Sequence, residues 1–225
     1  MRTIVISDLH LGSKYCRAGE LLVFLGRLPS EATLVLNGDT IDRWQKNLPV
    51  DHARVLDWLR TQSRLRPIIW IRGNHDETYL MPDSADIDFR VEYAIDQRLY
   101  ITHGHEFDNI MPRNPWFLHL FRALHHLRIK LGAESVHVAR YAKKFPALYR
   151  VLRRHVALNA VEHARERGFA AATCGHTHFI EDSIIEGVRY LNTGSWTEAP
   201  VCYVDVDDTD VRLVCVGPEG APSPR

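Results

Sequence analysis

The chain has 225 residues, 45% of them hydrophobic, with 28 basic and 28 acidic side chains. This composition excludes disorder as the global state, and the length suits one folded domain over residues 1–225 with a core of its own. A net charge of zero leaves the partner open, because a sum can hide two opposite halves; the excess to explain is the 13 histidines.

In chain order, short apolar runs alternate with helical patterns. Thr3–Ser7, Ala32–Leu36 and Pro67–Ile71 read as buried strands, and Gly19–Leu28 and Asp51–Leu65 as helices between them. That β-α-β-α-β order predicts a parallel sheet with right-handed crossovers. Phe89–Ile95 and Arg98–Thr102 read as two further strands, and residues 106–168 as a helical insert broken at Pro112, Pro115 and Pro146. Ala170–Cys174 is strand-like. Ile180–Ile185 with Val188–Leu191, and Val201–Val206 with Val211–Val216, read as hairpins, and Gly217–Arg225 reads as a loose tail. The first apolar run is too short for a signal peptide, and no stretch reaches the roughly 18 apolar residues of a membrane span, so a cytoplasmic protein is expected. Cys16, Cys174, Cys202 and Cys215 form no Cys-x-x-Cys pair and are read as reduced thiols.

Five predicted strands run directly into loops that offer Asp, Asn or His: Asp8 and His10, Asp39, Asn74, His103, and His176 with His178. Loops at the carboxyl ends of parallel strands are where sites assemble. An extended backbone from Asp8 to His10 would point both side chains one way. Taken singly, each residue suits a turn or a helix cap. Together, seven oxygen and imidazole donors without cysteine suit two divalent ions: manganese first, with iron, zinc or magnesium as alternatives. Asp39 follows the middle of the first three strands and is the natural bridge between ions about 3.5–4 Å apart. His75 adjoins Asn74 at the rim, where Asp42 could orient it, and Arg43 adds a positive fork suited to phosphate. His105 is read as standing behind the ligands or facing substrate, and His52 as structural.

These motifs, Asp8-x-His10, Gly38-Asp39-x-x-Asp42, Gly73-Asn74-His75-Asp76, His103 and Gly175-His176-x-His178, occur in the order of the calcineurin-like metallophosphoesterases, which the chain resembles. The resemblance implies an α/β fold, a four-layer αββα sandwich. It assigns Asp8, His10, Asp39 and His178 to one ion and Asp39, Asn74, His103 and His176 to the other. It also supports a catalytic His75–Asp42 pair, with Asn74, His75 and Arg43 at the substrate. The implied chemistry is hydrolysis of a phosphate ester or pyrophosphate by a water activated between the two ions.

Residues 112–167 hold twelve Lys or Arg and three Glu, a formal +9 against −9 for the rest of the chain. From Trp116 to Leu131, Phe117, Leu120, Phe121, Leu124, Leu127 and Leu131 share one helical face, with Arg122, His126 and Lys130 on another. A basic, apolar insert entered from His103 and left at His176 resembles the UDP-2,3-diacylglucosamine pyrophosphatase-like phosphoesterases of lipid A synthesis, as does the run from Tyr190 to Trp196. The implied substrate is a lipid nucleotide, split into UMP and a lipid 1-phosphate, with peripheral contact to the inner membrane face through the insert. Two departures point to a side branch: that subgroup has Arg where His75 stands and lacks the Asp42-Arg43 pair, and it carries Asp where Ser195 stands. The alternatives are a broader phosphatase or phosphodiesterase acting on nucleotides, phosphoproteins or nucleic acid, and a non-catalytic scaffold. Nucleic acid is disfavoured because the insert's aromatics sit at core-like spacing.

Overall fold

The computed structural model describes residues 2–42, 48–84, 86–110, 115–216 and 222–223. Its first sheet takes β1 (Thr3–Ile6), β2 (Thr33–Asn37), β3 (Ile68–Ile71) and β4 (Asp88–Arg90) in parallel. It then adds β10 (Val201–Val206), β11 (Val211–Val216) and β12 (Pro222–Ser223) antiparallel beyond β1. The second sheet has the order β5 (Glu92–Ile95), β6 (Leu99–Thr102), β7 (Ala171–Cys174), β9 (Val188–Asn192), β8 (Glu181–Ile185). Helices α1 (Ala18–Gly26) and α2 (Val50–Gln62) connect the first three strands. The insert supplies α3 (Pro115–Lys130), α4 (Val138–Ala142) and α5 (Pro146–Glu166).

Three apolar layers make the sandwich. Ile4, Ile6, Leu34, Leu36, Ile68 and Trp70 pack against Leu21, Leu25, Val55 and Leu59 of α1 and α2. The alternate residues of the same strands, Val5, Val35, Ile69 and Ile71, meet Leu99, Ile101, Ala171 and Leu191 of the second sheet. On that sheet's far side Ala157, Ala160, Val161 and Ala164 of α5 cover Tyr100, Ala172, Val188 and Tyr190. Strands buried on both faces read as unbroken apolar runs, which is why these three were visible in the sequence. The order helix, sheet, sheet, helix is the αββα sandwich that the resemblance implies.

Two expectations change, and the insert's apolar stripe gains a direction. The predicted strand Phe89–Ile95 is two strands: β4 pairs with β3 in the first sheet and β5 with β6 in the second, with exposed Val91 at the crossing. Cys202 and Cys215 lie opposite each other in the β10–β11 register and are joined by a disulfide, leaving Cys16 and Cys174 as the free thiols. Leu120, Leu124, Leu127 and Leu131 of the insert face outward, 51 to 79% exposed, while His125 on the same helix is buried. The placements of Phe117, Phe121, Arg122 and Pro112 lie outside what the structure describes. Both predicted hairpins form, and the Glu186-Gly187 turn takes positive φ at both residues, 49° and 84°, the two-residue loop that matches strand twist.

Burial sets the expected cost of truncation. Leu191→Ala in the layer between the sheets is expected to lose about 2–5 kcal/mol in urea unfolding. Leu131→Ala on the exposed stripe is expected to stay within about 0.5 kcal/mol of the parent.

Candidate metal centre

All five ligand-bearing loops leave the carboxyl ends of parallel strands: β1, β2 and β3 in one sheet, β6 and β7 in the other. The backbone does not stay extended there. Asp8, His10, Asp39, His176 and His178 all take left-handed φ, between 50° and 59°. Such a conformation costs about 1–3 kcal/mol per residue and persists only where the surroundings over-determine it. Here they do. Asp8 N–H donates to the Gly38 carbonyl at 3.1 Å, His10 N–H to the Asp39 carbonyl at 2.9 Å, and Trp196 N–H to the Asp8 carbonyl at 3.0 Å. Two glycines admit the close approach. A Cβ on Gly175 would lie 2.2 Å from Asp8 Oδ2, and one on Gly38 would lie 2.3 Å from the His103 ring.

The hydrogen bonds fix which ring nitrogens face inward. His103 Nδ1 donates to the Asn37 carbonyl at 3.0 Å, so Nε2 is the nitrogen turned inward, 3.3 Å from Asp39 Oδ2. That buried Nε2 has no hydrogen-bond partner. His10 Nδ1 donates to Asp42 Oδ1 at 3.1 Å, which turns His10 Nε2 toward His178 Nε2 at 3.0 Å, Asp8 Oδ1 at 3.8 Å and Asp39 Oδ2 at 3.9 Å. His178 Nε2 lies 3.0 Å from Asp8 Oδ1. His176 holds Asp108 Oδ2 through Nε2 and meets Asn74 Oδ1 through Nδ1, both at 3.1 Å. Ring nitrogens and carboxylate oxygens thus face one another across a few ångströms, an arrangement that a cation satisfies in place of the ring protons. The sets Asp8, His10, His178 and Asp8, Asp39, His103 each place donor atoms within 4.8 Å of one another. The residues present therefore fit divalent cations, in a donor set of carboxylate, amide oxygen and imidazole.

Electrostatics agree. Burial would push the Asp8 and Asp39 carboxyls up, but facing histidines, His178 for Asp8 and His103 for Asp39, outweigh it and hold both below the ordinary range. Burial alone would lower His103, yet in the metal-free protein Asp39 and Asp8 carry it up to about 10, so a ring proton stands where a cation would replace it. The same contest at His75, between burial on one side and Asp42 and Asp39 on the other, ends at about 8. Asp42 is held well below its usual value by His10 and His75 against the opposing effect of burial.

Around this set lies a supporting layer. Asp42 Oδ1 also meets His75 Nδ1 at 3.2 Å, so a single carboxylate orients both His10 and His75. His75 Nε2 then stands 3.9 Å from Asp39 Oδ2. Asp76 is buried and accepts from Thr40 N–H, Gly73 N–H and the Trp70 indole, tying the loop after β2 to the loop after β3. Asn192 donates to the Gly175 carbonyl at 2.8 Å, and Ser195 Oγ donates to the Asp8 carbonyl at 3.1 Å. The run from Asn192 to Trp196 is therefore a clamp on two ligand loops, and Ser195 acts through the backbone of Asp8. His52 accepts from Gly12 N–H at 2.8 Å, the structural role read for it. The His105 ring lies 5.4 Å from that of His103 and 6.4 Å from that of His176. Arg43 lies outside the described residues.

Sequence reasoning missed Asp108, which holds His176, and His137, an insert residue whose ring lies 5.2 Å from His10 and 5.3 Å from His178. Asp108 has no signal beyond its nearness to His103 in sequence, and His137 has none. Burial, reinforced by the neighbouring His178 and His10, lowers His137 to about 3, so its imidazole is neutral at ordinary pH.

Two outcomes are expected. Gly175→Ala should fold but bind less manganese, because its Cβ displaces the Asp8 carboxylate; metal analysis after gel filtration reads this directly. In the metal-free protein, His75 binds its proton more tightly folded than unfolded. Its contribution to stability is then full below about pH 6.5 and is lost as pH rises through about 8. The gap in urea midpoint between the parent and His75→Ala should shrink over that window, and a constant gap would contradict the assignment.

No curated protein compared matches the chain in sequence. Among solved structures it is similar to a Vps29 variant from Entamoeba histolytica, at 18% identity over 98% of this chain and 95% of that one, TM-score 0.52. It is also similar to wild-type Vps29 complexed with Zn2+ from the same organism, at 16% identity over 99% and 96%, TM-score 0.51. A third is YfcE, a phosphoesterase from E. coli, at 17% identity over 99% and 96%, TM-score 0.50. At these identities the likeness is one of fold. The family model that matches, calcineurin-like phosphoesterase, spans residues 1–179 and so takes in every ligand-bearing loop described above. With that match over most of its length, the chain belongs to the calcineurin-like phosphoesterase family.

Proposed function

We propose that this protein is a metal-dependent hydrolase of phosphate esters or pyrophosphates, acting on a substrate that joins phosphate to an apolar group, as UDP-2,3-diacylglucosamine does. The observation that carries the chemistry is the convergence of Asp8, His10, Asp39, His103 and His178, all buried, with their acceptor atoms turned on one another. Asp8, His10, Asp39 and His178 would hold one ion and Asp39, Asn74, His103 and His176 the other. When bound, such ions acidify water and neutralise charge on the phosphoryl group. The chain does the rest. Asp42 holds His10 and His75 at their Nδ1 atoms, so each imidazole has one fixed orientation. His75, oriented by Asp42, presents Nε2 beside Asp39 and gives a proton to the leaving oxygen. Asp108 and the Asn37 carbonyl fix His176 and His103 in the same way.

What supports an amphiphilic substrate is the insert. Its α3 turns three leucines to solvent, Leu131 continues the stripe just past the helix, and the segment that follows reaches the candidate metal centre. On this reading the protein works at an anionic membrane face, through the +9 insert and that stripe, without crossing the bilayer. No helix among the described residues is long and apolar enough to span one.

The test is turnover with manganese on UDP-2,3-diacylglucosamine, a free nucleotide, a phosphopeptide and an aryl phosphodiester. The lipid nucleotide is expected to be hydrolysed fastest; equal rates on all four would remove the substrate assignment and leave a broad phosphoesterase. Asp39→Ala should abolish turnover and reduce bound metal. His75→Ala should keep the metal and lower kcat about 10²–10⁴-fold, least for good leaving groups. Full activity in Asp39→Ala would reject the metal centre.

A further inference from the structure

The described part of the insert meets the candidate ligand histidines at two points: Asp108 holds His176, and His137 stands against His10 and His178. Between α3 and α4 the chain is clamped onto the loop that follows Asp8 and His10. Ser135 Oγ meets both Lys14 Nζ and Tyr15 Oη at 2.7 Å. Val136 is buried, and its carbonyl accepts from His125 Nε2 at 3.0 Å. The next residue is His137. Its ring lies nearly parallel to that of His178, 5.3 Å away at 19°, and 5.2 Å from that of His10, with Tyr15 edge-on at 5.8 Å. One of its nitrogens lies within 4.8 Å of donor atoms of His10 and Asp42.

The tautomer follows from the backbone. His137 Nδ1 accepts from the Ala139 N–H at 3.3 Å, which puts the ring proton on Nε2. Capping a short helix needs only an acceptor, which Ser, Asp or Asn supplies with less bulk. A histidine here adds a second function, an N–H on a ring that stands against two of the buried donors. Asp42 fills the Nδ1 side of His10 and His75, so neither of those Nδ1 atoms is open to substrate.

We infer that His137 is a phosphate-binding residue, donating from Nε2–H to a non-bridging phosphoryl oxygen of the bound substrate. The insert then supplies part of the active site as well as flanking it, and its anchorage at Ser135 sets phosphate affinity. The inference rests on the phosphoesterase reading above.

Inorganic phosphate binding to the manganese-loaded full chain, by calorimetry, tests it, with metal content measured in parallel. His137→Phe keeps the ring and removes the N–H; His137→Gln keeps a donor. The Phe variant is expected to weaken phosphate about ten-fold or more at unchanged metal content, as loss of a hydrogen bond to a charged group does. The Gln variant should recover most of that loss, and Ser135→Ala should weaken phosphate by a smaller factor. Equal phosphate affinity in the Phe and Gln variants, or loss of metal from either, would overturn the inference. A parent protein that takes up manganese but binds no phosphate would instead sink the phosphoesterase reading itself.

Discussion

Two carboxylates, Asp8 and Asp39, sit out of water at the meeting point of two sheets, and a buried charge is tolerated only with opposite charge close by. Most of what is unusual in the chain answers that demand. The left-handed backbone at five positions aims Asp and His side chains inward where an extended strand would alternate them. The glycines at 38 and 175 leave room for atoms that a methyl group would exclude. Carbonyls and carboxylates behind the rings dictate which nitrogen is held from outside, so the other points to the middle. The excess of histidine is thus partly an electrostatic requirement of the fold, before any substrate is considered.

The inner strands were legible because burial on both faces leaves an unbroken apolar run, and their carboxyl ends were legible because each run stops at a polar, glycine-flanked residue. The Phe89–Ile95 stretch was not. A strand that ends one sheet and a strand that begins another share the same alternation, so periodicity carries no mark of the crossing at Val91. The disulfide was hidden for a related reason: pairing of Cys202 with Cys215 follows from register, and spacing in sequence does not state register.

The site divides in the same way. The candidate ligands were readable as a set because metal chemistry restricts residue type and the five loops repeat one pattern. Asp42 was readable as a partner of His75, but its simultaneous hold on His10 was not, since that depends on two rings approaching one oxygen. The insert's apolar face was readable, while its direction was not. Spacing gives a stripe, and only the packing of His125 inward shows that the stripe faces out. His137 lay in a segment without periodicity, where position is set entirely by the folding back of the chain.

The donors come from both sheets: Asp8, His10, Asp39 and Asn74 follow strands of the first, and His103, His176 and His178 follow strands of the second. A cation taken up here is therefore a rivet between two sheets that otherwise adhere through apolar side chains. Its binding free energy adds to folding free energy. With such an ion bound, the molecule's resistance to heat would become a function of free metal concentration, and a chelator would act on it as a mild denaturant.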